Sequence, residues 1–163
     1  MTRITPCLWF DGNAEEAARF YTSVFPNSRV DKVSKAAADT PGNRVGDVLT
    51  VDFTLDGNRF TGLNGGPDFR FNEAISFMIE CKDQAEVDRY WDALVQNGGE
   101  HSVCGWLKDR YGVSWQVVPR RLLELTQNDD RDGAKRATEA MLRMTKIDIA
   151  QAEAAFRGEP VRV

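Results

Sequence analysis

The chain has 163 residues, 42% of them hydrophobic and 28% charged, with a formal net charge of −4. That composition belongs to a globular chain with one ordinary core and excludes a disordered one. The acidic balance argues against nucleic-acid binding by phosphate neutralisation, which needs a basic face. No apolar run approaches the roughly 20 residues that span a bilayer. Residues 1–10 lack a charged segment leading into a long apolar one, so neither a membrane nor a secretory route is expected. The three cysteines, Cys7, Cys81 and Cys104, are far apart and form no CxxC pair, which argues against a disulfide framework and fits a reducing cytoplasm. One histidine, His101, excludes a multi-histidine metal centre.

In chain order, Ile4 to Phe10 reads as a short strand. Asn13 then offers a helix N-cap with Glu16 three residues on. Ala17, Phe20, Tyr21 and Val24 form one apolar face at helical spacing until Pro26-Asn27 ends it. A strand is expected over Arg29–Ala36, and a second over Val48–Leu55, where polar and apolar residues alternate. Asp56-Gly57-Asn58 signals a hairpin into Arg59–Asn64. Gly65-Gly66-Pro67-Asp68 reads as the junction of two halves.

The order then repeats. Ala74–Cys81 reads as a strand and Asp83 as the cap of a helix, with Glu86 at its third position. Val87, Tyr90, Trp91, Leu94 and Val95 give that helix its apolar face, and Gly98-Gly99 closes it. Strands follow near Glu100–Ser102, Val103–Lys108 and Val113–Val118. Strand, capped helix and strands, twice over, is an internal repeat. Helices are expected over Arg121–Gln127, Gly133–Arg143 and Ile149–Arg157, the last capped by Asp148. Leu122, Leu125, Met141 and Met144 make this tail too apolar for a solvated one.

Three stretches carry a resemblance: residues 6–25 from Pro6-Cys-Leu-Trp-Phe to Val24-Phe25, Leu63-Asn-Gly-Gly-Pro67, and Cys104–Asp109 with Gly112–Pro119. Together with Met141–Ile149 in the tail, they resemble the PhnB-like branch of the glyoxalase/bleomycin-resistance/dioxygenase superfamily, the vicinal oxygen chelate proteins. The resemblance implies an α+β fold, two βαβββ modules whose curved mixed sheets enclose a cavity, followed by a C-terminal helical tail. It implies one domain over 1–163, with modules at about 1–66 and 73–119 and a tail from about 120. It also implies a homodimer, which the apolar tail supports.

In metal-using relatives a divalent ion sits among His, Glu or Gln side chains of both modules. Here the corresponding positions fall near Pro6, Ala74 and Gln116, with Asn64 ending the first module, so no metal and no cofactor is expected. The demethylubiquinone methyltransferase label common in this branch finds no GxGxG-type turn to support it.

His101 reads as a surface residue and the three cysteines as inert buried thiols. Trp9, Phe53, Phe77, Trp106 and Trp115 fall on strands, where about half must be core. Those that face inward would form an apolar small-molecule pocket with Asn64, Ser76 and Gln116 as polar anchors. Three readings follow: a metal-free binding protein, an enzyme with a rearranged or absent metal site, and an interaction protein whose cavity is filled by side chains.

Overall fold

The computed structural model describes Thr2 and residues 4–160. Two compact units divide the chain, Met1–Phe71 and Asn72–Val163. In the first, β1 (Cys7–Phe10), α1 (Ala14–Val24), β2 (Arg29–Lys35), β3 (Val48–Leu55) and β4 (Asn58–Asn64) follow one another. The sheet order is β1-β4-β3-β2, with β1 parallel to β4 and the other pairs antiparallel. In the second, β5 (Ser76–Cys81), α2 (Gln84–Val95), β6 (Glu100–His101), β7 (Trp106–Lys108) and β8 (Ser114–Pro119) form the order β5-β8-β7-β6, again with a parallel first pair. Both units therefore use the same βαβββ crossover, and the repeat is structural. Helices α3 (Arg120–Thr126), α4 (Arg131–Met141) and α5 (Ile149–Arg157) complete an α+β chain.

Local chemistry explains most boundaries. The β3–β4 turn is two residues long, Asp56 at φ 43° and Gly57 at φ 80°, the pair of positive φ values that a tight hairpin needs. Asp83 accepts the Glu86 amide at 2.9 Å, and the Glu86 carboxylate accepts the Lys82 amide at 2.9 Å. Asp148 accepts the Gln151 amide at 2.9 Å. The expected cap at Asn13 does not form: its side chain makes no cap bond. Instead Asn64 Oδ1, arriving from the end of β4, accepts the Ala14 amide at 2.9 Å. A long-range side chain outcompetes the local one, because Gly62 lets β4 run tight against Ala14 and Phe10.

The strand expected from Val103 begins only at Trp106. Cys104 (φ 58°) and Gly105 (φ 81°) turn left-handed, and their amides bond to the carbonyls of Met144 and Thr145 at 2.7 and 2.8 Å. Gly65 and Gly66 do more than join the units. A Cβ at Gly65 would lie 2.2 Å from the Trp9 ring, and Trp9 Nε1 donates to the Gly66 carbonyl at 2.8 Å.

Each sheet is covered on one face by its own helix. In the first unit Ala14, Ala17, Ala18 and Tyr21 of α1 are buried together with Val51, Phe53 and Phe60; Phe53 stacks on Phe60 at 5.4 Å. A fully buried aromatic or aliphatic side chain of this kind contributes about 1.5–3 kcal/mol relative to exposure. In the second unit Val87, Tyr90, Trp91 and Leu94 of α2 are buried, as are Leu107, Trp115 and Val117 of its sheet. The tail packs within the second unit. Leu122, Leu125, Ala137, Met144, Ile147 and Ala152 form one buried cluster with Val118. That burial removes the argument for a dimer drawn from exposed tail leucines and methionines.

Candidate functional site

Side chains alternate across a strand, so the faces turned away from α1 and α2 are fixed by register. In the second unit this uncovered face has two cross-strand rows. Met78, Gln116 and Trp106 pair in one; Ser76, Ser114, Lys108 and Glu100 pair in the next. Neighbours in a row stand about 5 Å apart. Gln116 Nε2 donates to Ser76 Oγ at 2.9 Å, linking the rows. Met78 is 57% exposed, and Trp106 and Gln116 are half-buried. An apolar row beside a polar one suits an amphipathic small molecule.

In the first unit the uncovered face carries Trp9, Leu63, Thr50 and Ser34 in one row and Cys7, Thr61, Asp52 and Lys32 in the next. Thr61 Oγ1 donates to Asp52 Oδ1 at 2.7 Å. Thr54 Oγ1 donates to Asp31 Oδ2 at 2.6 Å, and Arg29 pairs with Asp31 at 2.7 Å. The Thr54 hydroxyl, followed by Arg29, holds the Asp31 carboxyl below its ordinary value.

The eight residues singled out from sequence divide between the faces. Trp9, Ser76, Trp106 and Gln116 lie on uncovered faces. Phe53, Phe77, Trp115 and Asn64 lie on helix-covered ones, which their registers require. Phe77 and Trp115 pack against each other at 5.4 Å. Trp115 Nε1 donates to buried Asp109 Oδ2 at 2.8 Å. Sequence reading passed over Asp52, Thr61, Lys108 and Ser114 and took Cys7 as buried. The available signal was an aspartate in the polar row of the alternating segment Val48–Leu55.

His101 is exposed and accepts a hydrogen bond at Nδ1 from Trp91 Nε1 at 3.0 Å. Of the cysteines, Cys81 is buried, Cys104 half-buried and Cys7 exposed, so the expectation of burial fails for Cys7. Its strand, β1, is at the edge of its sheet, and its side chain stands on the uncovered face. Burial, then Asp52, still pushes its thiol up.

Burial, then Glu86, pushes the Cys81 thiol up to about 12 from 9.0. The folded thiol stays protonated while an unfolded one ionises from about pH 9. The stability this gives is complete below that pH and falls as pH rises toward 12. Iodoacetamide at pH 8 should leave Cys81 unmodified in the native protein. Urea midpoints should drop between pH 8 and pH 10, and by less in a Cys81→Ala variant.

The metal that the superfamily fold implies is not matched by the residues present. Pro6 and Ala74 have no side-chain donor. Asn64 is spent between the Ala14 amide and the Val48 carbonyl, which its Nδ2 reaches at 2.9 Å. Among the described residues no three His, Cys, Asp or Glu side chains come together to hold an ion, and no helix is long and apolar enough to cross a membrane.

A model of the 3-demethylubiquinone-9 3-methyltransferase family matches residues 2–118. The chain belongs to that PhnB-like family. A PhnB protein from Bacillus cereus shares 35% identity with it, with a TM-score of 0.64 over 72% of this chain and 99% of the other. A Pseudomonas aeruginosa protein has the same fold at 21% identity and a TM-score of 0.59, covering 73% and 98%. No curated protein matches. The family match on this PhnB-like chain ends at Val118, two residues before α3 begins. The tail resemblance read from Met141–Ile149 therefore lies beyond it.

Proposed function

We propose that this PhnB-like protein binds a small, partly apolar molecule on the uncovered faces of its sheets and needs no metal to do so. The observation that carries the reading is the row Met78–Gln116–Trp106. Two large apolar side chains flank an amide in the open, while the opposite face of the same strands is closed by α2. The methyltransferase term is a family name and assigns no activity to this chain. A screen of aromatic and aliphatic fragments, read in 1H–15N spectra, tests the proposal. Bound fragments should move the Trp106 indole and Gln116 amide signals, and Trp106→Ala should weaken binding at least tenfold. Fragments that bind while leaving both signals in place would contradict it.

A second reading, a metal-free enzyme of the superfamily's lyase or isomerase type, draws on the row Cys7–Thr61–Asp52–Lys32. Asp52 would be its base, oriented by Thr61. It predicts turnover of a bound compound that Asp52→Asn abolishes without loss of binding. The first reading predicts no turnover. A homodimer is also proposed from the family resemblance; light scattering at twice 18.3 kDa is the expected result, and a monomer mass would refute it.

A further inference from the structure

We propose that the polar row on the second sheet is a subsite for a primary ammonium group carried by the bound molecule. The inference rests on the binding reading above and specifies one end of the ligand. A small cavity of about 110 Å³ is lined by Glu73, Glu100, Ser102, Trp106, Lys108 and Ser114, among others. It is well below the roughly 300–1,000 Å³ of a site for a whole drug-sized ligand. It admits a head group of a few heavy atoms, with the remaining body left on Trp106 and Met78.

Ser114 is the second, independent observation. It is 1% exposed, and its hydroxyl meets no hydrogen-bond partner. A buried hydroxyl left in that state costs free energy comparable to a lost hydrogen bond. Its cross-strand neighbour Lys108 forms an ion pair with Glu73. Both partners are partly exposed, and such a pair is worth little in water, so it yields to an entering group at small cost.

Charge decides which group enters. Lys108 is balanced by Glu73, and Glu100 also faces it. Among the carboxylate and ammonium side chains of the lining there are two carboxylates against one ammonium. An anion is disfavoured by that excess. A primary ammonium brings three donors, and acceptors in the lining include Ser114 Oγ and the carboxylates of Glu73 and Glu100. The Trp106 ring adds a face for a cation.

The test uses three probes of one shape on the full chain near pH 7: benzylamine, benzyl alcohol and benzoate. Titrations are followed at the Ser114 backbone amide and the Trp106 indole. Benzylammonium should shift both signals saturably, and benzoate should shift neither. Ser114→Ala and Glu100→Gln should each weaken benzylammonium about tenfold, the loss of one charge-assisted hydrogen bond, with unchanged melting temperature for Glu100→Gln. Equal binding of benzyl alcohol or benzoate would overturn the subsite. So would a Ser114→Ala variant with native affinity, which would mean that the hydroxyl is satisfied by water alone. Should benzylammonium fail while other fragments still move Trp106, the subsite is wrong and the binding face stands. Should nothing move Trp106, both fall.

Discussion

Asp109→Ala is expected to destabilise the protein by about 4 kcal/mol, lowering its melting temperature by roughly 8–16 °C. Asp109 is 2% exposed. Its Oδ1 accepts the amides of Tyr111 at 2.8 Å and Val113 at 3.1 Å, and its Oδ2 accepts Trp115 Nε1 at 2.8 Å. One carboxylate thus ties the β7–β8 turn to the core tryptophan of its own sheet. Hydrogen bonds to a charged acceptor contribute about 1.5–3 kcal/mol each, and removing the acceptor also strands three donors. Asp109→Asn gives an intermediate result, about 2 kcal/mol. Its oxygen still serves the two amides, but its NH2 then faces the indole N–H. Thermal melts of the two variants check the order; an alanine variant within 1 kcal/mol of the parent would show that the network is not a structural tie.

The second large effect separates two asparagines. Asn64→Ala should cost about 3 kcal/mol, since Asn64, 3% exposed, holds the Ala14 amide and the Val48 carbonyl while its own carbonyl accepts Asn43 Nδ2 at 2.6 Å. Both side-chain partners would be left unsatisfied in a buried position. Asn13→Ala should cost less than about 0.5 kcal/mol, because Asn13 makes no side-chain cap bond, whereas a working cap is worth about 1 kcal/mol. Urea titrations of both variants give the comparison. The reverse order would place the α1 cap back on Asn13.

These two residues mark where sequence reasoning stops. The strand and helix sequence was legible because its periods are local. Val48–Leu55 emerges with the expected ends, and Asp83 and Asp148 cap as their spacing predicts. Asn13 has the same local signature, yet a residue 51 positions later does its work, and no spacing rule encodes that approach. Cys104-Gly105 reads as strand because its left-handed turn is held by carbonyls some 40 residues downstream.

The candidate site was legible only in part. A period of two already sends Ser76 and Phe77, or Gln116 and Trp115, to opposite faces, so those eight residues do not form one surface. Which face stays open depends on where α1 and α2 land, and that is set by packing. Ser114 carries no signal of its own, since nothing in its spacing marks a buried hydroxyl without a partner.

The central claim is that the site works without a metal, and metal content measures it most directly. The protein would be purified without chelator, soaked in manganese, nickel, zinc or iron(II), desalted and analysed by plasma mass spectrometry. Well below one ion per chain in every case is the predicted result. It would leave Met78, Gln116 and Trp106 as a surface that binds by shape and hydrogen bonding. Near-stoichiometric uptake of any one metal would contradict the account and move the enzyme reading ahead of it.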